Sequence, residues 1–179
     1  MSKTFSADHV RAAFAAGQRD FGENKVQEAL QKIDATADLS IRWHLIGHLQ
    51  SNKARKAGPA FAAIHSIDSI DLLRRVDQAA HDAGVAPDLY VQVDLAGEAT
   101  KFGAPEAEVP DIVRASLECG AARLRGLMLL PPWFEDRRDE ILAMLEPIRV
   151  PEFNQPASAA AGGAQPSHRK AEFVRAGKN

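Results

Sequence analysis

The sequence predicts an α/β domain on a parallel sheet, from three observations. Short runs rich in β-forming residues recur at residues 20–24, 42–47, 63–68, 88–95 and 123–130. Their starts fall about 20 to 35 residues apart, the repeat of successive βα units. The segments between them carry apolar residues at helical spacing.

Taken in order, Ser6-Ala7-Asp8 offers a cap before Val10, Ala13 and Phe14, spaced i, i+3 and i+4, and Gly17 stops that short helix. In the run at 63–68, Ile64 and Ile67 flank His65 and Ser66. Asp68 or Ser69 caps a helix through Leu72, Leu73, Val76 and Ala80 that ends near Gly84. Leu89-Tyr90-Val91-Gln92-Val93-Asp94-Leu95 is the run richest in β-formers. Pro105 and Glu106 open a helix over 105–117 with Val109, Ile112 and Val113 on one side. A last helix over 134–148 carries Ile141, Leu142, Met144, Leu145 and Ile148. The carboxyl ends of the strands bear polar groups, notably Asn24, Asp68 and Asp94.

At 179 residues, 45% hydrophobic and 26% charged, the chain can bury one core but is short for two domains. Its net charge of -2 gives no broad field for nucleic acid or an anionic membrane, so an anion needs a local site. The single cysteine, Cys119, excludes an intramolecular disulfide framework, and no apolar run has membrane-spanning or signal-peptide length. A cytoplasmic location is expected. From Pro151 the composition shifts to Pro, Ala, Gly and Ser, with Arg169, Lys170, Arg175 and Lys178 beyond. We therefore divide the chain into a domain at 1–150 and a low-complexity, disordered tail at 151–179. Those four cations, with only Phe173 among them, are read as a solvated extension and not as a nucleic-acid arm.

Several motifs in this order resemble one family. They are Ser2-Lys3-Thr4; Phe21-Gly22-Glu23-Asn24 with Val26-Gln27-Glu28; and Trp43-His44-Leu45-Ile46-Gly47-His48-Leu49-Gln50-Ser51-Asn52-Lys53, the most specific run. Weaker matches follow at Ser66-Ile67-Asp68, Val91-Gln92-Val93-Asp94 with Lys101 and Gly103, and Leu124-Arg125-Gly126-Leu127-Met128-Leu129-Leu130-Pro131-Pro132. The chain resembles the pyridoxal phosphate homeostasis proteins (the YggS, or proline-synthase co-transcribed, family), whose single domain is similar to the N-terminal barrel of alanine racemase. The resemblance implies a (β/α)8 TIM-barrel-like fold, with Ser2-Lys3-Thr4 ending its first strand. It also implies a non-catalytic holder of pyridoxal 5'-phosphate, bound as a Schiff base on Lys3, with Asn24, His44, Asn52, Ser66 and Met128 around the cofactor.

Two departures from the family shape the expectation. Its members carry residues before the lysine that complete the first strand, and they continue after the sixth into Ser-x-Gly-Met-Ser and Arg-x-Gly segments; the first is absent here, and Arg175-Ala176-Gly177 stands within the stretch read as a low-complexity tail. We thus expect an incomplete barrel of about six strands, a clipped first strand and a replaced or frame-shifted end. Phosphate is usually gripped after the seventh and eighth strands, so cofactor binding is expected to be weak. A monomer, or association through open barrel edges, follows.

Other readings stand beside these. A lysine three residues from the start is ordinarily a solvated terminus, and Asn24 a helix N-cap. His44 and His48 have the i, i+4 spacing of zinc ligands, but Leu45-Ile46-Gly47 between them is strand-like, which argues for a strand-end hydrogen bond and a loop position. Ser66 and Asp68 combine strand end with helix capping, Met128 packs in the core, and Cys119 is buried or inert. A pyridoxal-phosphate enzyme of the alanine-racemase type, or a remnant with weak or no cofactor binding, remains as the alternative function.

Overall fold

In the computed structural model, residues 1–94 and 102–130 are described; the helix expected at 134–148 and the tail at 151–179 lie outside them. The chain runs α1 (Ala7–Ala15), β1 (Asp20–Glu23), α2 (Val26–Ala35), β2 (Arg42–Leu45), α3 (Ala54–Ala60), β3 (Ala63–Ile67), α4 (Ile70–Ala83), β4 (Asp88–Asp94), β5 (Ala104–Pro105), α5 (Val109–Ser116) and β6 (Arg123–Leu129). The strands form one six-stranded sheet in the order β1-β2-β3-β4-β5, with β6 also beside β4. Every pairing is parallel. Among the described residues the sheet is not closed, an open part of the barrel that the sequence predicts.

Alternation along the strands separates the two faces. Phe21 and Glu23, Trp43 and Leu45, and Leu89, Val91 and Val93 are buried together with the helices. Helix α4 meets that layer through Leu72, Leu73, Val76, Ala79 and Ala80, recurring at i, i+1, i+4, i+7 and i+8. Burying each such large aliphatic side chain stabilises the fold by about 1.5–3 kcal/mol. The Ser69 hydroxyl accepts the Leu72 amide at 3.3 Å and caps α4, while Gly84, at φ 67°, ends it.

Five local expectations need correction. Ser2-Lys3-Thr4 ends no strand: Lys3 and Thr4 stand in a turn closed by the Phe5 amide on the Ser2 carbonyl at 2.9 Å. Residue 105 does not open a helix: Pro105 pairs with Asp94 in β5, a 3-10 turn Glu106–Glu108 follows, and α5 starts at Val109. Asn24 does not cap α2; Lys25 holds that position, without a side-chain hydrogen bond. Ser6 holds the N-cap position of α1, yet its hydroxyl meets His9 Nδ1 at 2.8 Å and no helix amide. Ser69, not Ser66 or Asp68, caps α4. Cys119 is half-buried, and burial first, then Asp77 and Glu118, pushes its thiol up to about 11, so it stays protonated.

Candidate functional site

The face of the sheet opposite the helix layer carries a polar ladder. The register places Gly22 beside His44, His44 beside Ala63 and Ala63 beside Asp88, a stagger that brings Asp20, His44, His65 and Tyr90 into one oblique row. His44 Nε2 lies 3.0 Å from Asp20 Oδ1, and His44 Nδ1 lies 3.0 Å from His65 Nε2. A carboxylate only accepts, so the Nε2 of His44 donates to Asp20. His44 Nδ1 and His65 Nε2 share the second hydrogen bond of the row. Burial first, and His44 second, push His65 down to about 4. His65 is therefore a neutral imidazole near pH 7, stacked between His44 and Tyr90.

Nearer the carboxyl ends of the strands, the His48 ring stacks on Phe102 with centroids 3.8 Å apart and planes 10° from parallel. His48 Nδ1 stands 3.6 Å from Asp68 Oδ2. Burial dominates at Asp68 and raises its carboxyl above the usual range. Gln92 Nε2 donates to the Phe102 carbonyl at 2.5 Å and ties this segment to β4.

The six sequence-predicted site residues fall in distinct settings. Lys3 is exposed, directly after Ser2, whose amide donates to the Gly22 carbonyl at 2.9 Å, so Lys3 stands level with the end of β1. Half-buried Asn24 follows β1, and the Gly47 turn after β2 packs against its backbone. His44 belongs to the ladder. Asn52 is exposed on the 3-10 turn Ser51–Lys53. Ser66 is fully buried, its Oγ without a hydrogen-bond partner among the described residues. Met128 is buried on β6, paired with Gln92. Lys3 and Asn24 thus flank the end of β1, while Ser66 and Met128 lie on β3 and β6. Lys101 is outside the described residues.

Asp20, His65, Tyr90, Gln92 and Phe102 were not singled out from the sequence. The available signal was alternation: His44 between Trp43 and Leu45, and Tyr90 and Gln92 among Leu89, Val91 and Val93, mark a polar face where a parallel sheet covered on both sides is apolar. A groove of ≈ 460 Å³, lined by Ser2, Phe5, His9, Ala13, Asp20 and Phe21, lies on the α1 side of β1 and shares Asp20 with the ladder. No helix of the described residues is long and apolar enough to cross a membrane.

Comparison with known proteins gives three kinds of match. The family model of the alanine racemase N-terminal domain matches residues 3–177. The pyridoxal phosphate homeostasis protein of Pseudomonas aeruginosa is 43% identical over 132 residues, which are 73% of this chain and 57% of that protein. The protein of that name from Aquifex aeolicus is 33% identical over 77% of this chain and 60% of its own length. The chain therefore spans less than two thirds of these relatives. Among solved structures, PipY of Synechococcus elongatus with PLP bound is 40% identical, with a TM-score of 0.72 over 79% of this chain and 66% of PipY. Alanine racemase from Clostridium difficile, 10% identical at a TM-score of 0.61 over 79% of this chain and 36% of that one, shares the fold.

Proposed function

The chain belongs to the alanine racemase N-terminal domain family, and from that premise we propose that it binds pyridoxal 5'-phosphate through Lys3 and serves in homeostasis of that cofactor without catalysing a reaction. One observation carries the reading most: relatives 33–43% identical are named pyridoxal phosphate homeostasis proteins, and the similar PipY structure holds PLP.

The residues present fit one half of the group. Lys3 offers an exposed primary amine beside the end of β1, and the orphaned Ser66 hydroxyl is a buried hydrogen-bonding group still to be satisfied. When bound, the cofactor supplies a reactive aldehyde. Lys3 would hold that aldehyde covalently through its side-chain amine. In this reading Asn24 lies beside that amine, Met128 offers an apolar, polarisable contact, and His44 is held in place through both ring nitrogens. Asn52, on its exposed turn, closes the rim. The Ser-x-Gly-Met-Ser segment expected to grip phosphate in this family is absent from the sequence.

The test is an absorbance spectrum with added pyridoxal phosphate, before and after borohydride, for the chain and for Lys3→Ala. A band at about 420 nm that borohydride removes, with the reduced adduct mapped to Lys3 and lost in the variant, is expected. Its absence from the unsubstituted chain overturns the reading. Racemisation of alanine by the purified chain would instead favour an enzyme of the alanine-racemase type.

A further inference from the structure

We propose that Glu23 and Lys32 are positioning residues for Lys3, acting through Ser2; the inference rests on the reading of Lys3 as the amine that captures the aldehyde. Glu23 occupies the face of β1 that packs on the helices, where its neighbour at i-2, Phe21, is the expected apolar residue. Its side chain is 0% exposed. An ionised carboxylate buried there is costly unless donors surround it, and a pair of well-packed apolar side chains would serve stability as well or better. Glu23 is incompletely served: Oε1 receives Lys32 Nζ at 2.8 Å and the Ser2 hydroxyl at 2.5 Å, while Oε2 has no partner among the described residues.

This pair grips Ser2 at its hydroxyl and its carbonyl, and the β1 backbone holds its amide. The Ser2 amide donates to the Gly22 carbonyl at 2.9 Å. Its hydroxyl donates to Glu23, and its carbonyl accepts from Lys32 Nζ at 2.8 Å and from the Phe5 amide at 2.9 Å. The Phe5 bond closes a turn with Lys3 and Thr4 at its centre. The Lys3 backbone is thereby fixed from a buried anchor while its side chain stays exposed, so the reach of its amine is centred beside the end of β1. Holding a nucleophile in this way raises its effective concentration toward a bound carbonyl without altering ligand affinity.

The test compares the full chain with Ser2→Ala, with the paired Glu23→Gln/Lys32→Met, which leaves no charge buried alone, and with Lys32→Arg, which can still donate to both oxygens. Three quantities are read: amide hydrogen exchange at Phe5 without cofactor, the rate of borohydride-trapped capture of pyridoxal phosphate at Lys3, and the affinity for pyridoxine 5'-phosphate, which has no aldehyde. Ser2→Ala and the paired variant should exchange faster at Phe5 and capture roughly 10- to 100-fold more slowly, with pyridoxine phosphate affinity within about twofold; Lys32→Arg should recover both properties. Unchanged capture, or capture and pyridoxine phosphate affinity falling together, overturns this inference alone. No capture at Lys3 in the unsubstituted chain overturns the cofactor reading, and this inference with it.

Discussion

His65 on β3 and Tyr90 on β4 lie face to face, their ring centroids 4.5 Å apart and their planes 4° from parallel. His44 extends the stack from the other side, at 5.3 Å and 28°. The groups facing His65 are thus Tyr90, the His44 ring and, through His44, the Asp20 carboxylate. Near neutral pH the row holds together with His65 uncharged.

That arrangement fixes a pH dependence. The folded pKa of His65 is about 4 against an ordinary 6.5, so between these values the unfolded chain binds a proton that the folded chain does not. This contribution to stability is therefore full above pH 6.5 and declines as pH falls toward 4, by up to about 3 kcal/mol. Urea unfolding at pH 7.5 and 4.5 should show this loss, and His65→Phe should flatten it. An unchanged pH slope in that variant would refute the assignment.

Asp77 joins α4 to the turn before β6. Its carboxylate accepts the Gly120, Ala121 and Ala122 amides at 3.0, 2.9 and 2.8 Å. Burial pushes its pKa up, but these donors outweigh burial and leave it below the ordinary value. A depressed carboxylate stabilises above its unfolded pKa, and that support is lost as pH falls through the folded one. Asp77→Ala should cost about 1–3 kcal/mol at pH 7, with Asp77→Asn between the two. As pH falls through the depressed folded value, the Asn variant and the unsubstituted chain should converge in chemical denaturation.

Five of the six strands, all but β5, were legible in the sequence to within two residues because β-forming runs bounded by polar ends are local signals. The barrel, and the proposed role of Lys3, came from the resemblance; the residues around Lys3 alone read as a solvated terminus. Contacts between distant segments were not legible. Pro105 reads as a helix start because its pairing with Asp94 depends on the chain doubling back. The ladder depends on the register of four strands, and Asp77 meets partners 43 to 45 residues away. Glu23 was quoted as part of a motif, but its grip on Ser2 emerges only when β1 and the first residues lie side by side.

Ser69 tests a signal that was local. Its hydroxyl satisfies one otherwise orphaned amide at the start of α4, and four of that helix's side chains, Leu72, Leu73, Val76 and Ala80, are 0–1% exposed in the core. Ser69→Ala should lower stability by about 1 kcal/mol and Ser69→Gly by only a few tenths. Asp68, whose Oδ1 receives the Ser69 hydroxyl at 3.3 Å, should not compensate, since it offers no acceptor to Leu72 in the present arrangement. Equal melting of Ser69→Ala and the unsubstituted chain would contradict the cap.

Gly47 provides the sharpest steric prediction at the candidate site. A Cβ there would stand 2.2 Å from the Asn24 carbonyl oxygen and 2.8 Å from the Asn24 carbonyl carbon and Cα. All three are backbone atoms, so no rotamer change relieves the contact. The two loops are also tied together, since the Ile46 amide donates to the Glu23 carbonyl at 2.9 Å. Gly47→Ala must either break that bond or push Asn24 away from the end of β1, at a cost of about 1–3 kcal/mol. Gly120→Ala is the matched control, because its added Cβ meets only His81 Cδ2 at 4.0 Å and should leave stability within about 0.5 kcal/mol. If Asn24 belongs to the cofactor site, Gly47→Ala should also weaken pyridoxal phosphate capture while Gly120→Ala does not. A destabilised Gly47→Ala that captures at the unsubstituted rate would separate the packing of the two loops from the site and remove Asn24 from it.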